Sequence, residues 1–280
     1  MAKHKVLAVP TEFWRPKEDY LERIVEGIRD RIGDEDFLVV SEKAISTALG
    51  NIVDESAVRP SAFTLLIARF WMRIAWGYFF GFLCHFPKRL IQRLRSYPIV
   101  SGGRHKLVAL TRAGLLQTLM FGSEGGIDGS NLPYSYVSLP LENPQIVAQE
   151  IREHIRLKLH RKVCVMITDT DKTYSFRNFH FTPRPRPMVG IHSFGGFAAY
   201  VIGRMFGLKR NSTPLAVAGC NMPVEEALEM AEITNRVRGS GAGRTVWEMA
   251  ERFDVDLTGV SWEMLETVKH KPIVIVKSKR

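Results

Sequence analysis

Between Ser56 and Ser123 the chain has no aspartate or glutamate, yet it carries ten basic residues: Arg59, Arg69, Arg73, Lys88, Arg89, Arg93, Arg95, Arg104, Lys106 and Arg112. Within that segment residues 62–87, AFTLLIARFWMRIAWGYFFGFLCHFP, are strongly apolar and aromatic. The combination limits what the segment can become. Its longest uncharged run, Ile74 to Pro87, is 14 residues, short of the about 20 that a bilayer-crossing helix needs. Arg69 and Arg73 would each cost roughly 2.5–3.5 kcal/mol near the middle of a span. At helical pitch they lie one turn apart on one face and leave a wide apolar face opposite. The segment reads as an amphipathic arm edged by Lys88, Arg89, Arg93 and Arg95. Three placements stay open. The arm folds as a helical hairpin against its own core or a second subunit; it meets an anionic membrane surface peripherally through residues 62–95; or it spans or re-enters the bilayer.

The arm also accounts for the charge. The chain of 280 residues has a formal net charge of +10, and outside the segment Ser56–Ser123, 29 basic residues match 29 acidic ones. A general affinity for nucleic acid is therefore not expected, and aromatic residues do not interleave with the basic cluster as in RNA-binding sheets. A hydrophobic content of 45% excludes wholesale disorder. Cys84, Cys164 and Cys220 are scattered, with no CxxC pair, so unpaired thiols in a reducing cytoplasm are expected. The apolar run Val6–Val9 is too short for a signal peptide and reads as a buried first strand.

Alternation and β-branched content predict strands near Lys5–Val9, Phe37–Val40, Lys106–Leu110, Val163–Asp169 and Ile273–Lys277. Helices are expected at 17–31, in the arm, and at 144–159, 224–238 and 246–253. This mixture predicts an α/β protein. The stretch TPRPRP at 182–187 reads as an extended connector between two lobes, 1–181 with the arm inserted at 56–98, and 182–280.

Three segments carry groups suited to chemistry. In Glu124-Gly-Gly-Ile-Asp-Gly-Ser-Asn-Leu-Pro133, Asp128 either faces a metal or phosphate or merely closes an Asx-type turn. At 163–171, VCVMITDTD, a buried apolar strand ends in alternating hydroxyls and carboxylates, an oxygen-only set that suits Mg²⁺ or Mn²⁺; a capped turn would use them equally well. In Arg238-Gly239-Ser240-Gly241-Ala242-Gly243-Arg244-Thr245 alternating glycines let backbone N–H groups approach an anion at a helix start, with Thr245 and Glu248 at capping-box spacing. It is not a Walker loop, since Arg238 replaces the first glycine and Arg244 the lysine. No GxSxG or HExxH pattern occurs, which disfavours nucleophilic and zinc chemistry.

In this order the loops resemble those of the coenzyme F-420-0:L-glutamate ligase (gamma-glutamyl ligase) family. The segment Gly126-Ile127-Asp128-x-Ser130-Asn131-x-Pro133 matches its GIDxSNxP, Asp169-Thr170 its DT pair, and FLVVSEKAISTALG at 37–50 is similar to its strand and VSKAEG segment. The likeness covers most of the chain to about residue 245, apart from the arm between Ser56 and about Pro98. It implies a two-lobed mixed α/β ligase fold that uses GTP and a divalent metal to activate a carboxylate, which the amine of L-glutamate then attacks. It further implies small-molecule partners (GTP, an amino acid and a phosphorylated cofactor precursor) and a homodimer; the cytoplasmic setting rests on the cysteines, and membrane association on the arm. By position, Asp128, Asp169 and Thr170 would hold Mg²⁺ or Mn²⁺. Asn131, Lys43, Thr11 to Arg15, and Arg238, Gly239, Ser240, Gly241, Gly243, Arg244 and Thr245 would line the nucleotide site. The chain departs from the family at Thr47 (a lysine there), Leu49 (a glutamate), Ser240 (a metal-binding glutamine) and 172–176 (GRxWR). Lys43 would then stand in for the lysine, and Glu124 or Asp171 for the lost ligand. These departures mark a divergent paralogue, and they keep a second reading open: a nucleotide- or anion-binding protein without ligase activity.

Overall fold

A computed structural model describes residues 5–278. Among the described residues nine strands form: β1 Val6–Thr11, β2 Phe37–Ser41, β3 Ile52–Asp54, β4 Tyr136–Ser138, β5 Cys164–Phe176, β6 Phe179–Thr182, β7 His192–Ser193, β8 Lys209–Ala218 and β9 His270–Val276. Seven of them build one mixed sheet in the order β1-β9-β2-β5-β6-β7, with β8 antiparallel along β5. β3 and β4 pair separately. The mixed α/β expectation holds. β8 and β9 come from the segment after residue 182, yet they pair with β5, β1 and β2. The boundary at 182 thus falls within a sheet that both segments build.

The central strands are apolar because both faces are covered. Leu38 and Val40 of β2, with Val165, Ile167, Ile273 and Ile275, point to one side and pack on Ile24, Val25 and Ile28, on Ile45, and on Ile151 and Ile155. Those residues lie on the helices Tyr20–Ile28, Glu42–Ala48 and Pro144–Leu159. The alternate residues Val39, Met166, Val274 and Val276 face Ala227, Met230 and Ala231 of the helix Val224–Arg238. The helices expected at 144–159, 224–238 and 246–253 form with those limits.

The expected strand Lys106–Leu110 is instead part of the helix Ile99–Arg112. Of its buried residues Gly102, Gly103, Lys106, Val108 and Ala109, the set Gly102, Lys106 and Ala109 recurs every three to four positions, and this packing overrides strand propensity. A side chain at Gly102 would run into the Tyr97 ring, and one at Gly103 would approach Leu65 Cδ2 within 2.9 Å. The rest of the arm is helical too: Ala62–Leu66, a π-helix over Ile67–Phe80, Gly81–Leu83 and Lys88–Arg95. It has its own core of Ala68, Met72, Trp76, Cys84, Phe86, Ile91, Leu94, Tyr97 and Phe121. The indole N–H groups of Trp71 and Trp76 both donate to the Leu119 carbonyl, at 2.8 and 2.9 Å. Among the described residues, no helix is long and apolar enough to cross a membrane.

The thiol expectation is corrected at two positions. Cys164 and Cys220 form a disulfide across 56 residues of sequence, while Cys84 stays free and buried. Spacing could not reveal the pair, because the antiparallel register Val165↔Ala218 is what brings the two cysteines together.

Ion pairs fasten the arm to the frame. His105 lies between Glu55 and Glu124, 2.6 Å from each, and the buried Lys106 also donates to Glu124. Burial alone would lower the His105 pKa, but Glu55 and then Glu124 outweigh it and hold the imidazolium well above its ordinary value. A raised folded-state pKa gives stability that is complete below the unfolded value of about 6.5 and is lost as pH rises through the folded one. The thermal midpoint of the wild type is accordingly expected to fall as pH climbs above 6.5, with a shallower slope in His105→Gln; equal slopes in a pH series would refute the assignment.

Candidate active site

The carboxylates of the candidate site are set by an irregularity in β5. Opposite β8 the register runs Asp169↔Thr213 and then Lys172↔Ser212, so Thr170 and Asp171 are extra residues on the bulged strand. Bulges re-aim side chains, and this one sits where the apolar strand meets the polar run. The carboxylate of Asp169 takes the Thr170 N–H at 2.7 Å and an ion pair from Arg184. Asp171 accepts from the Ser123 hydroxyl at 3.0 Å and lies 3.7 Å from the same guanidinium.

Arg184, the first arginine of TPRPRP, is the hub. It is 2% exposed and donates through Nη2 to both oxygens of the buried Glu42 at 2.6 Å, while its Nε–H has no partner. Gly126, at φ +98°, covers the guanidinium so closely that any side chain there would collide with it. The glycine of the GID motif is therefore required by the arginine beneath it.

Asp128 lies opposite. Its carboxylate accepts from the Ser130 N–H at 2.7 Å and the Ser130 hydroxyl at 2.9 Å, and forms an ion pair with Lys43. Lys43 also donates to the Ser130 carbonyl and hydroxyl, at 2.9 and 2.7 Å. This lysine opens the helix after β2, so the strand end, the GID loop and the β5 bulge meet at one place. Thr47 turns its hydroxyl back onto the Lys43 carbonyl at 2.8 Å.

Four carboxylates, Glu42, Asp128, Asp169 and Asp171, thus share two cations, Lys43 and Arg184. The shortfall falls on the three carboxylates around Arg184. Burial, then the neighbouring charge of Asp169, pushes Glu42 up to about 7 against the pull of Arg184. Burial and Asp169 hold Asp171 well above the usual carboxylate range. Burial would also raise Asp169, but Arg184 and then Lys43 keep it below that range. An oxygen-only set with excess negative charge fits a hard divalent cation. Among the described residues no three His, Cys, Asp or Glu side chains gather closely enough to hold a metal alone. Thr170, phosphate oxygens and water would have to complete the shell.

Beside this cluster runs a groove of about 910 Å³. Lys43, Asn131, Asp169 and Thr170 line it, with Phe13 and Trp14 of the early loop and Arg238, Gly239, Ser240, Gly241, Gly243 and Arg244 of the glycine-rich loop. Four of its cations, Arg210, Arg238, Arg244 and Lys271, have no carboxylate partner among the described residues. Asn131 ties the glycine loop to the GID loop. Its Oδ1 accepts from the Ala242 N–H at 2.6 Å, and its Nδ2 donates to the carbonyls of Ser240 and Gly243 at 3.2 and 3.0 Å. Gly241, at φ +60°, has no room for a side chain against that amide. Thr245 does not line the groove; it caps the helix Val246–Phe253, accepting the Glu248 N–H at 3.2 Å. Asn131→Ala is expected to weaken nucleotide binding at least tenfold, with the thermal midpoint nearly unchanged, because three bonds that shape the loop are lost at a partly exposed site. Titration with a fluorescent GTP analogue checks this, and unchanged affinity would refute it.

A second cavity, about 320 Å³, lies on the arm side of the cluster. Tyr97, Arg104 and His105 of the arm line it with Phe121, Asp128, Asp171, Thr245 and Trp247, and it shares Thr170 and Arg244 with the groove. Sequence reasoning missed Glu42, Arg184 and Arg210. Arg184 stood within a run that read as a connector, and only the fold shows that the run passes beneath the site.

Comparison with known proteins bears on this arrangement. The profile of the F420-0:Gamma-glutamyl ligase family matches residues 9–192, a span that includes the GID loop, the β5 bulge and Arg184. An uncharacterized protein of Methanocaldococcus jannaschii is 32% identical over 283 residues, covering 97% of this chain and 95% of its own length.

Proposed function

The chain belongs to the F420-0:gamma-glutamyl ligase family, and from that premise we propose that it is a GTP- and divalent-metal-dependent amide ligase. It would join L-glutamate or a similar amino acid to a carboxylate of a phosphorylated cofactor precursor. The observation that carries this reading is the meeting of the GID loop, the β5 bulge and the glycine-rich loop around one groove with unpaired cations. Asp128, Asp169 and Thr170 would hold Mg²⁺ or Mn²⁺, which when bound offsets phosphate charge. Arg238, Arg244 and the backbone N–H groups of the glycine loop would take the phosphates. Lys43, already beside Asp128, orients that carboxylate.

In the proposed reaction an oxygen of the acceptor carboxylate attacks the γ-phosphorus and GDP departs. The amino-acid nitrogen then attacks the acyl carbon, inorganic phosphate leaves with one carboxylate oxygen, and the nitrogen loses a proton. The protein's share is mainly positioning. The arm-lined cavity would hold the acceptor, because Thr170 and Arg244 border both it and the groove. By family likeness the working unit is a homodimer.

Thr47, Leu49 and Ser240 favour a second reading, a nucleotide- or anion-binding paralogue without ligase activity. Incubation with F-420-0, L-glutamate, GTP and Mn²⁺ separates the two. The ligase reading expects a product heavier by a glutamyl unit; no product, with Mn²⁺-dependent GTP binding retained, leaves the paralogue.

A further inference from the structure

The outer face of the arm carries a stripe of large apolar side chains with nothing over it. Phe63, Leu66, Phe70, Ile74, Tyr78, Phe79 and Phe82 are each 49–60% exposed. Leu66, Phe70, Ile74, Tyr78 and Phe82 recur every four residues and so hold one side of the continuous helical run 62–83. The opposite side is committed to the arm's own core through Ala68, Met72 and Trp76. Monomeric proteins seldom leave so extended an apolar patch bare without a use for it.

The edge of the stripe is cationic. The Arg95 guanidinium lies 4.1 Å from the Tyr78 ring centre and 5.9 Å from that of Phe82, and Arg69 lies 5.7 Å from that of Phe70. Arg59, Arg69, Lys88 and Arg95 are exposed and have no carboxylate partner among the described residues, whereas Arg89 and Arg93 are spent on Glu251. No acidic residue lies between Ser56 and Ser123.

This charge pattern chooses the occupant. A second copy joined across a two-fold axis would set the same patch against itself, bringing two cationic rims together with no acid to relieve them. An anionic lipid surface meets both halves of the pattern: rings and aliphatic groups enter the headgroup boundary while the guanidinium groups meet phosphates. We propose that residues 62–95 form a peripheral docking surface for an anionic bilayer, with the helical run 62–83 lying in the interface plane. This is independent of the ligase reading, since the stripe faces away from the arm's contacts with the core.

Co-sedimentation of the full chain with vesicles tests it. The wild type is expected to pellet with phosphatidylcholine vesicles containing 30% phosphatidylglycerol, far less with phosphatidylcholine alone, and less as salt rises. Phe70→Glu and Arg69→Glu change exposed side chains, so each should keep the thermal midpoint and lower vesicle binding at least tenfold. Absence of wild-type binding to the anionic vesicles, or equal binding by wild type and both variants, overturns the proposal. So does a dimer in sedimentation velocity that Phe70→Glu dissociates, which would assign the stripe to a second copy.

Discussion

Arg184→Ala is expected to cost about 3–5 kcal/mol of folding stability, the range for removing one partner of a buried ion pair. The size follows from what the guanidinium faces. Glu42, Asp169 and Asp171 all look to it, and Glu42 has only the Leu141 N–H besides. Without Arg184 three buried carboxyl groups must protonate or separate. Arg184→Lys keeps the charge but not the forked geometry that grips both Glu42 oxygens, so it should recover only part of the loss. Gly126→Ala attacks the same arrangement from above: it strains a left-handed backbone position and drives a methyl group into the guanidinium. Urea unfolding of the three variants measures the effect. A change below about 1 kcal/mol in Arg184→Ala would mean that the carboxylates are solvated, not paired.

The second large effect concerns ligand binding. Asp169→Asn removes a charge that lies against both Arg184 and the proposed metal, while leaving the Arg184–Glu42 pair and the fold in place. Mn²⁺-dependent GTP binding should fall by more than the roughly 10–100-fold typical of losing a group outside the metal shell. Asp128→Asn should act similarly and also release Lys43 from its ion pair. Calorimetric titration with GTP, with and without Mn²⁺, separates the cases. Metal-independent GTP affinity should survive in both variants, because neither Arg238 nor Arg244 forms an ion pair with either carboxylate. Unaltered Mn²⁺ dependence in Asp169→Asn would remove that residue from the metal site.

The parts of the molecule that could be read from the sequence are those set by short-range patterns. The runs at 37–40 and 273–276 are apolar because they are buried on both faces, and the stripe at 144–159 has helical spacing. Each signal lies within a few turns of the chain. The readings that failed depend on distant contacts. Lys106–Leu110 looks like a strand by composition, but its helix is set by what Gly102, Gly103 and Lys106 touch: Tyr97, Leu65 and Glu124. The Cys164–Cys220 link follows from strand register, not spacing.

The candidate site divides along the same line. The GID loop and the Asp-Thr pair announced themselves by residue type, and the fold brings them to one groove. Glu42 and Arg184, which hold those carboxylates, sit 142 residues apart in sequence and gave no local signal. Asn131 was legible as a site residue, whereas its bonds to the glycine loop are visible only once the chain is folded. The arm, conspicuous from its charge alone, proved to have two faces, one lining a cavity beside the carboxylates and one bare to the outside.

In the proposed reaction Asp128, Asp169 and Thr170 act together on one ion beside a nucleotide. A crystal grown with Mn²⁺ and a non-hydrolysable GTP analogue tests this most directly through the anomalous signal of the metal. The expected result is an ion bound directly to oxygens of all three residues, at about 2.0–2.6 Å as for hard divalent cations, with the phosphates toward Arg238 and Arg244. An ion bound elsewhere, or a nucleotide seated in the groove with the carboxylates still held only by Lys43 and Arg184, would contradict it.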